Sequence, residues 1–383
     1  MIYKQFQELK LSALGFGAMR LPVLEGKDDQ IDEQAAFDMV DYAMAHGINY
    51  YDTAFGYHGG NSELVMGRAL ARYPRESFYL ATKFPGYDLS NMGKVREIFE
   101  KQLEKCRVDY FDFYLFHNVC ELNIEQYLDN EKNGIFDYLV EQKRNGRIRH
   151  LGFSAHGSYQ VMERFLKAYG SEMEFCQIQL NYLDWKFQNA DKKVELLSRY
   201  NLPVWVMEPL RGGRLVHLSE ENEAKLKALR PEAPAHAWAF RFLQSLPEVA
   251  VVLSGMSNME QLQDNIAIFD REEPLSDRER QVLDAVADEM LSHNLLPCTA
   301  CHYCVSHCPQ QLDIPDLLEM YNEFNFTGGS FIALMKLASM SQDKRPESCV
   351  GCQSCEAVCP QQIRISQAMA DFAEKTRTNP FEK

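Results

Sequence analysis

Between residues 11 and 270 the chain alternates short apolar runs with longer stretches in which apolar side chains recur every three or four positions. The runs are Leu14 to Gly17, Ile48 to Asp52, Phe78 to Lys83, Phe111 to His117, Ile148 to Ser154, Phe175 to Leu180, Val204 to Met207 and Val249 to Leu253. Most lack polar–apolar alternation, which predicts strands covered on both faces. The stretches between them predict helices. In Ala35 to His46, for example, Phe37, Val40 and Met44 share one face and Gly47 supplies the stop. Eight strand–helix units predict an α/β fold, a closed parallel (β/α)8 TIM barrel; on pattern alone an open doubly wound sheet is the alternative. In such a barrel chemistry sits at the C-terminal ends of the strands. The polar residues at those ends are Asp52, Lys83, His117, Ser154 and Gln177.

Cysteine usage divides the chain. Eight of the eleven cysteines fall within residues 298–359, and only Cys106, Cys120 and Cys176, expected in the core, precede them. The expected domains are a barrel over residues 1–285 and a metal-binding domain over residues 286–383. Apolar residues make up 46% and charged residues 25%, which excludes disordered and collagen-like chains. The net charge of -15 argues against a nucleic-acid or anionic-membrane binder. Met1-Ile2-Tyr3-Lys4-Gln5 lacks the basic start of a secretory signal, and no apolar run approaches the ~18 residues of a membrane span. A cytoplasmic protein is expected, and in a reducing compartment clustered cysteines point to metal before disulfides.

Cys298, Cys301, Cys304 and Cys308-Pro309 are separated by two, two and three residues, and Cys349, Cys352, Cys355 and Cys359-Pro360 repeat the spacing. This is the pattern of two 4Fe-4S clusters, in which the fourth cysteine of each run ligates the other cluster. Two zinc sites are the alternative, but zinc pairs usually read as Cys-x2-Cys units without the third cysteine and following proline. The spacer carries Ile314, Leu317, Leu318 and Tyr321 at helical spacing, a turn at Thr327-Gly-Gly-Ser330, and a second helical stretch from Phe331 to Met340. It resembles the all-helical dicluster domain of electron-transfer subunits. Each oxidised cluster with four thiolates adds about -2, so an electron partner should present a basic face.

Residues 3–270 resemble the aldo/keto reductase family. Asp52-Thr-Ala-Phe-Gly-Tyr57, Gly59, Gly60, Ser62-Glu63 and Gly67 are similar to that family's signature after the second barrel strand, and Asp52, Tyr57, Lys83 and His117 match its catalytic tetrad. The resemblance implies reduction of a small-molecule carbonyl by NADPH or NADH. Tyr57 would be the general acid, Asp52 would hold Lys83 so that the ammonium lowers the phenol's pKa, and His117 would polarise the carbonyl oxygen. For the cofactor the resemblance implies Gly17, Ala18 and Met19 after the first barrel strand, and Ser154 and Gln177 at the nicotinamide carboxamide. Ala155 stands where the family has asparagine, with His156 next. Met207 replaces a stacking tyrosine, followed by Pro209, Leu210 and Gly212; sulfur against a ring retains some of that packing. Ser254, Gly255, Met256, Gln261 and Asn265 match the pyrophosphate and adenosine loop. No cation occupies Gly255, Ser257 or Gln261, which weakens a strict preference for NADPH, whose 2'-phosphate wants Arg or Lys.

Hydride transfer moves two electrons together and each cluster takes one. Three functions are therefore expected in order: a carbonyl reductase whose clusters serve a ferredoxin-like partner or stabilise the C-terminal domain; a protein with a flavin as two-to-one converter; and a non-catalytic, nicotinamide-binding redox sensor.

Overall fold

The structure is a computed structural model describing residues 1–292, 295–298, 301–302, 304–329, 331–359 and 361–381. It separates into two units, Met1–Ala285 and Val286–Lys383.

The first unit opens with an antiparallel hairpin, β1 (Tyr3–Phe6) and β2 (Leu9–Ser12), which the apolar pattern does not announce. Eight parallel strands follow: β3 (Leu14–Gly17), β4 (Tyr50–Asp52), β5 (Tyr79–Phe84), β6 (Phe111–Val119), β7 (Ile148–Ala155), β8 (Cys176–Gln179), β9 (Val204–Met207) and β10 (Val249–Ser254). They pair in sequence order and β10 closes on β3, which excludes the open sheet. β3 and β9 coincide with their apolar runs, and the other strand bounds differ by one or two residues.

Because side chains alternate along a strand, inward positions recur every second residue. At the N-terminal end these are Tyr50, Phe113, Phe175 and Trp205, all buried. Phe6 of the hairpin plugs this end, its ring edge-on to Trp205 at 5.1 Å and close to Phe113 at 5.7 Å. Gly15 and Gly152 make room for the bulk: a Cβ on Gly15 would lie 2.7 Å from Leu253, and one on Gly152 2.6 Å from the Phe175 ring. Two residues further along the same strands stand Asp52, His117 (four beyond Phe113), Gln177 and Met207. The barrel interior thus runs from aromatic to ionisable, and its polar end is the C-terminal mouth.

The second unit contains no strand among the described residues. Its helices are Ile314–Thr327, Phe331–Ser339 and Ile365–Lys375. Asp313 caps the first by accepting the Asp316 N–H, and left-handed Gly328 (φ 71°) ends it. Leu317, Leu318, Met369 and Phe372 form the core, against which Cys298, Cys308, Cys349 and Cys359 pack. Ser330 of the expected turn and Pro360 of the second cysteine run lie outside the described residues.

Candidate active site and candidate cluster module

Lys83 is the only lysine that the barrel buries completely among the described residues. Its Nζ donates to Asp52 Oδ1 (2.6 Å) and to the Thr53 carbonyl (2.8 Å) and lies 5.1 Å from the centre of the Tyr57 ring. The Tyr57 and His117 rings meet edge-on at 6.0 Å. All four residues expected at this site therefore converge. Two local devices aim them. The β6–β7 register shifts between Phe116 and Val119, with Asn118 left-handed (φ 58°), so β6 bulges beside His117. Left-handed His58 (φ 54°) clamps the turn bearing Tyr57: its Nε2 accepts the Leu21 N–H at 3.1 Å while Nδ1 lies 2.7 Å from the Asp28 carbonyl.

Burial sets the proton affinities. It pushes the Tyr57 phenol well above its ordinary value, reinforced by the negative charges of Asp52 and Glu208. Burial and these two carboxylates outweigh the lowering expected from Lys83. Burial lowers the pKa of Lys83 against the pull of Asp52 and Glu63, and raises that of Asp52 against the pull of Lys83. His117 is driven well below 6.5 by burial and by the charges of Lys83 and His156. The site therefore contains a protonated phenol and a neutral imidazole.

Gln177 pairs in register with Ser154, and its Nε2 lies 3.7 Å from Met207 Sδ. Three buried atoms here, Asp52 Oδ2, His117 Nδ1 and Gln177 Oε1, have no hydrogen-bond partner among the described residues. Buried polar atoms in this state call for a ligand or water, so the residues fit a hydrogen-bonding cofactor and substrate. The Ser154 hydroxyl is already engaged, accepting the Asn118 N–H at 2.7 Å. His156 is half-buried, its pKa lowered to about 3 by desolvation and by Lys193.

The residues matched to the dinucleotide loop divide. Gly17 backs directly onto the Ser254 carbonyl, where a Cβ would lie 3.1 Å away, and the Ala18 N–H donates to the Asp52 carbonyl (2.8 Å). Met19 is exposed and Met256 is buried. Asn265 is buried and donates to Ser254 Oγ (3.1 Å), while the Gln261 side chain accepts the Ser257 N–H (2.8 Å) at a helix start. Gly255 is covered by a residue that the sequence reading passed over: Arg20, whose side chain lies 3.2 Å from where a Gly255 Cβ would sit and whose guanidinium reaches Glu208 (3.6 Å). Its signal was a lone cation directly after the Gly17, Ala18, Met19 segment. Pro209, Leu210 and Gly212 belong to a loop in which Glu208, Arg211, Gly212 and Gly213 all have positive φ. A buried ion pair pins it: Arg211 Nε donates to Asp184 Oδ1 (2.9 Å), while Gln179 and Asn181 donate to Asp184 Oδ2 (2.8 and 2.6 Å).

In the second unit Cys298, Cys301, Cys304 and Cys359 line one cavity, three cysteines of the first run with the fourth of the second. Cys349 and Cys308 are the thiols whose charges bear on Cys355, the reciprocal arrangement; Cys352 lies exposed beside them in sequence. Among the described residues no three ligand-type side chains are arranged for a single metal ion. Four thiols around one cavity, with His302 and Gln361 also on its wall, suit a cluster held by sulfur. Cys106, Cys120 and Cys176 are buried in the barrel.

These features agree with what the chain is similar to. The family model for the aldo/keto reductase family matches residues 13–288, and that for a 4Fe-4S dicluster domain matches residues 297–363. The chain belongs to the aldo/keto reductase family, whose members are oxidoreductases, and carries a C-terminal 4Fe-4S dicluster domain. It is 34% identical over 157 residues to the probable aldo-keto reductase 1 of Glycine max, a match spanning 39% of this chain and 42% of that protein. It is 25% identical over 328 residues to the NADH-specific methylglyoxal reductase of Escherichia coli, covering 74% and 97%. Among solved structures, the holo form of an aldo-keto reductase from Bacillus halodurans superposes with a TM-score of 0.62 at 26% identity, covering 75% and 96%. No helix among the described residues is long and apolar enough to cross a membrane.

The depressed pKa of His156 carries a pH dependence. The unfolded chain binds this proton at about 6.5 and the folded chain only near 3, so the stability linked to His156 is present above pH ~6.5 and is lost as pH falls toward 3. Melting temperatures measured across that window should fall less steeply for His156→Asn than for the parent.

Proposed function

We propose that the barrel reduces a small aldehyde or ketone with NADH or NADPH, and that the cysteine-rich unit holds two 4Fe-4S clusters exchanging electrons with a ferredoxin-like partner. The observation that carries the reductase reading is the convergence of Tyr57, Lys83 and His117 on one space, with Asp52 behind Lys83. When bound, the nicotinamide would supply hydride and each cluster one electron.

Tyr57, which keeps its proton at neutral pH, gives it to the carbonyl oxygen as negative charge develops there. Lys83 faces the phenolate left behind, and its proximity compensates that charge only once the proton has gone. Asp52 keeps the ammonium paired in the resting site, so a buried cation is never uncompensated. His117, neutral and with Nδ1 unengaged, is placed to hold the same oxygen. Gln177 Oε1 suits the amide N–H groups of a carboxamide. Arg20 offers a cation to phosphate from outside the segment where one is usually sought. NADH is favoured by the relative named as NADH-specific; a guanidinium beside Gly255 keeps NADPH in play.

Methylglyoxal is the probe substrate for a test. Tyr57→Phe should lower kcat by about 10²–10⁴ while NADH binding, followed by fluorescence, stays unchanged; retained turnover would remove Tyr57 from the mechanism. Anaerobically purified protein should contain about eight iron and eight acid-labile sulfide per chain. Two zinc atoms instead would overturn the cluster assignment, and structured flavin bands in the same sample would shift the two-electron chemistry to a flavin.

A further inference from the structure

A second concavity of about 850 Å³ is walled by the turn after β4, by Tyr87, Asp88 and Asn91 of the loop after β5, and by the helices Ser62–Leu70 and Val95–Cys106; Tyr87 stands between it and His117, its ring edge-on to the imidazole at 5.1 Å. Neither Tyr57 nor His117 lines it. In a chain of net charge -15, its walls hold four cations, Arg68, Lys101, Lys105 and Arg107, against two acids, Asp88 and Glu104. Arg68 is taken up by Glu33 (2.6 and 3.1 Å). Lys105 is bound on one side by Glu63, which is fully buried (2.6 Å). Lys101 and Arg107 have no acidic partner among the described residues.

These cations share a face. The ammonium groups of Lys101 and Lys105 lie 5.9 and 4.8 Å from the centre of the same Phe55 ring. Like charges four apart on a helix repel. Compensation of the helix dipole accounts for cations in the last turn of Val95–Cys106, but it does not account for the glycines opposite. Gly59 and Gly60 are both left-handed (φ 63° and 95°) and keep this wall low, a Cβ on Gly60 reaching the Phe55 carbonyl at 3.5 Å and Lys105 Nζ at 3.9 Å. The walls are preformed, since Gly67 brings the two helices into backbone contact: a Cβ there would lie 2.4 Å from the Lys105 carbonyl oxygen.

We propose that this cavity binds a small polyanion, bearing a phosphate or paired carboxylates, through Lys101, Lys105 and Arg107, as a ligand distinct from the carbonyl being reduced. The cavity is joined to the catalytic strand by hydrogen bonds. Glu63 Oε2 holds Lys105, while Oε1 accepts from Thr82 Oγ1 and Gln102 Nε2 (2.7 Å each), and the same Gln102 nitrogen donates to the Lys83 carbonyl (3.0 Å). An anion that shares Lys105 with Glu63 therefore acts on the residues that fix Lys83 in place.

The test reads binding alone and is independent of the reductase reading. Inorganic pyrophosphate is titrated calorimetrically into the full-length protein at low ionic strength, where surface charges are least screened. The expected result is one site, weakened at least tenfold in Lys101→Ala/Arg107→Ala and within threefold of the parent in Lys101→Arg/Arg107→Lys. Both side chains are exposed, so the variants should keep the parent melting temperature. No binding to the parent, or equal affinity in the alanine variant, would overturn the proposal. The second result would place the anion in another site, such as the one expected for the dinucleotide.

Discussion

A lysine with no exposed surface, at the C-terminal end of a barrel whose other end is filled with aromatic rings, is the constraint on which the first unit depends. Removing one member of such a buried pair costs roughly 3–5 kcal/mol, because the other charge is left uncompensated. The barrel therefore surrounds Lys83 with acceptors. Asp52 and the Thr53 carbonyl hold Nζ, Gln102 fixes its backbone carbonyl, and Glu63 adds a second carboxylate from beyond β5. The same arrangement determines what the neighbours can do. Burial keeps the proton on Tyr57, and burial together with the Lys83 ammonium keeps His117 uncharged, so the site stores a donor rather than a base.

The inward-facing positions give this chemistry its location. One strand period leads from Tyr50 to Asp52 in β4, from Phe175, just before β8, to Gln177 within it, and from Trp205 to Met207 in β9. The aromatic end is closed by Phe6, and the ionisable end opens to the loops. A one-residue slip in any strand would exchange these sets between barrel interior and exterior, so the packing that stabilises the fold also fixes the site's register.

The strands and strand-end chemistry were legible in the sequence because they depend on local periodicity. Asp52, Lys83, His117 and Gln177 could be read as strand-end residues before any coordinates, and the two cysteine runs announced their own spacing. What could not be read depends on contacts distant along the chain. The hairpin plug is amphipathic and short. Arg20 meets Gly255 and Glu208 only after the barrel closes. Asp184 and Arg211 are 27 residues apart and become a buried pair only when two loops meet at the rim. The direction of the Tyr57 shift likewise turned on burial, a quantity no spacing encodes. Gln261 and Asn265, which the resemblance assigns to the dinucleotide, are held in place by Ser257 and Ser254, pairings that their motif positions do not announce.

Hydride chemistry in one unit and one-electron centres in the other make the state of the barrel site the first thing to establish. The most direct measurement is the single-turnover rate of methylglyoxal reduction by NADH in the Asp52→Asn/Lys83→Met double variant, which leaves no buried charge unpaired. If the ion pair arms Tyr57, the variant folds and binds NADH but its rate falls by about a hundredfold or more. A rate within threefold of the parent would contradict the account.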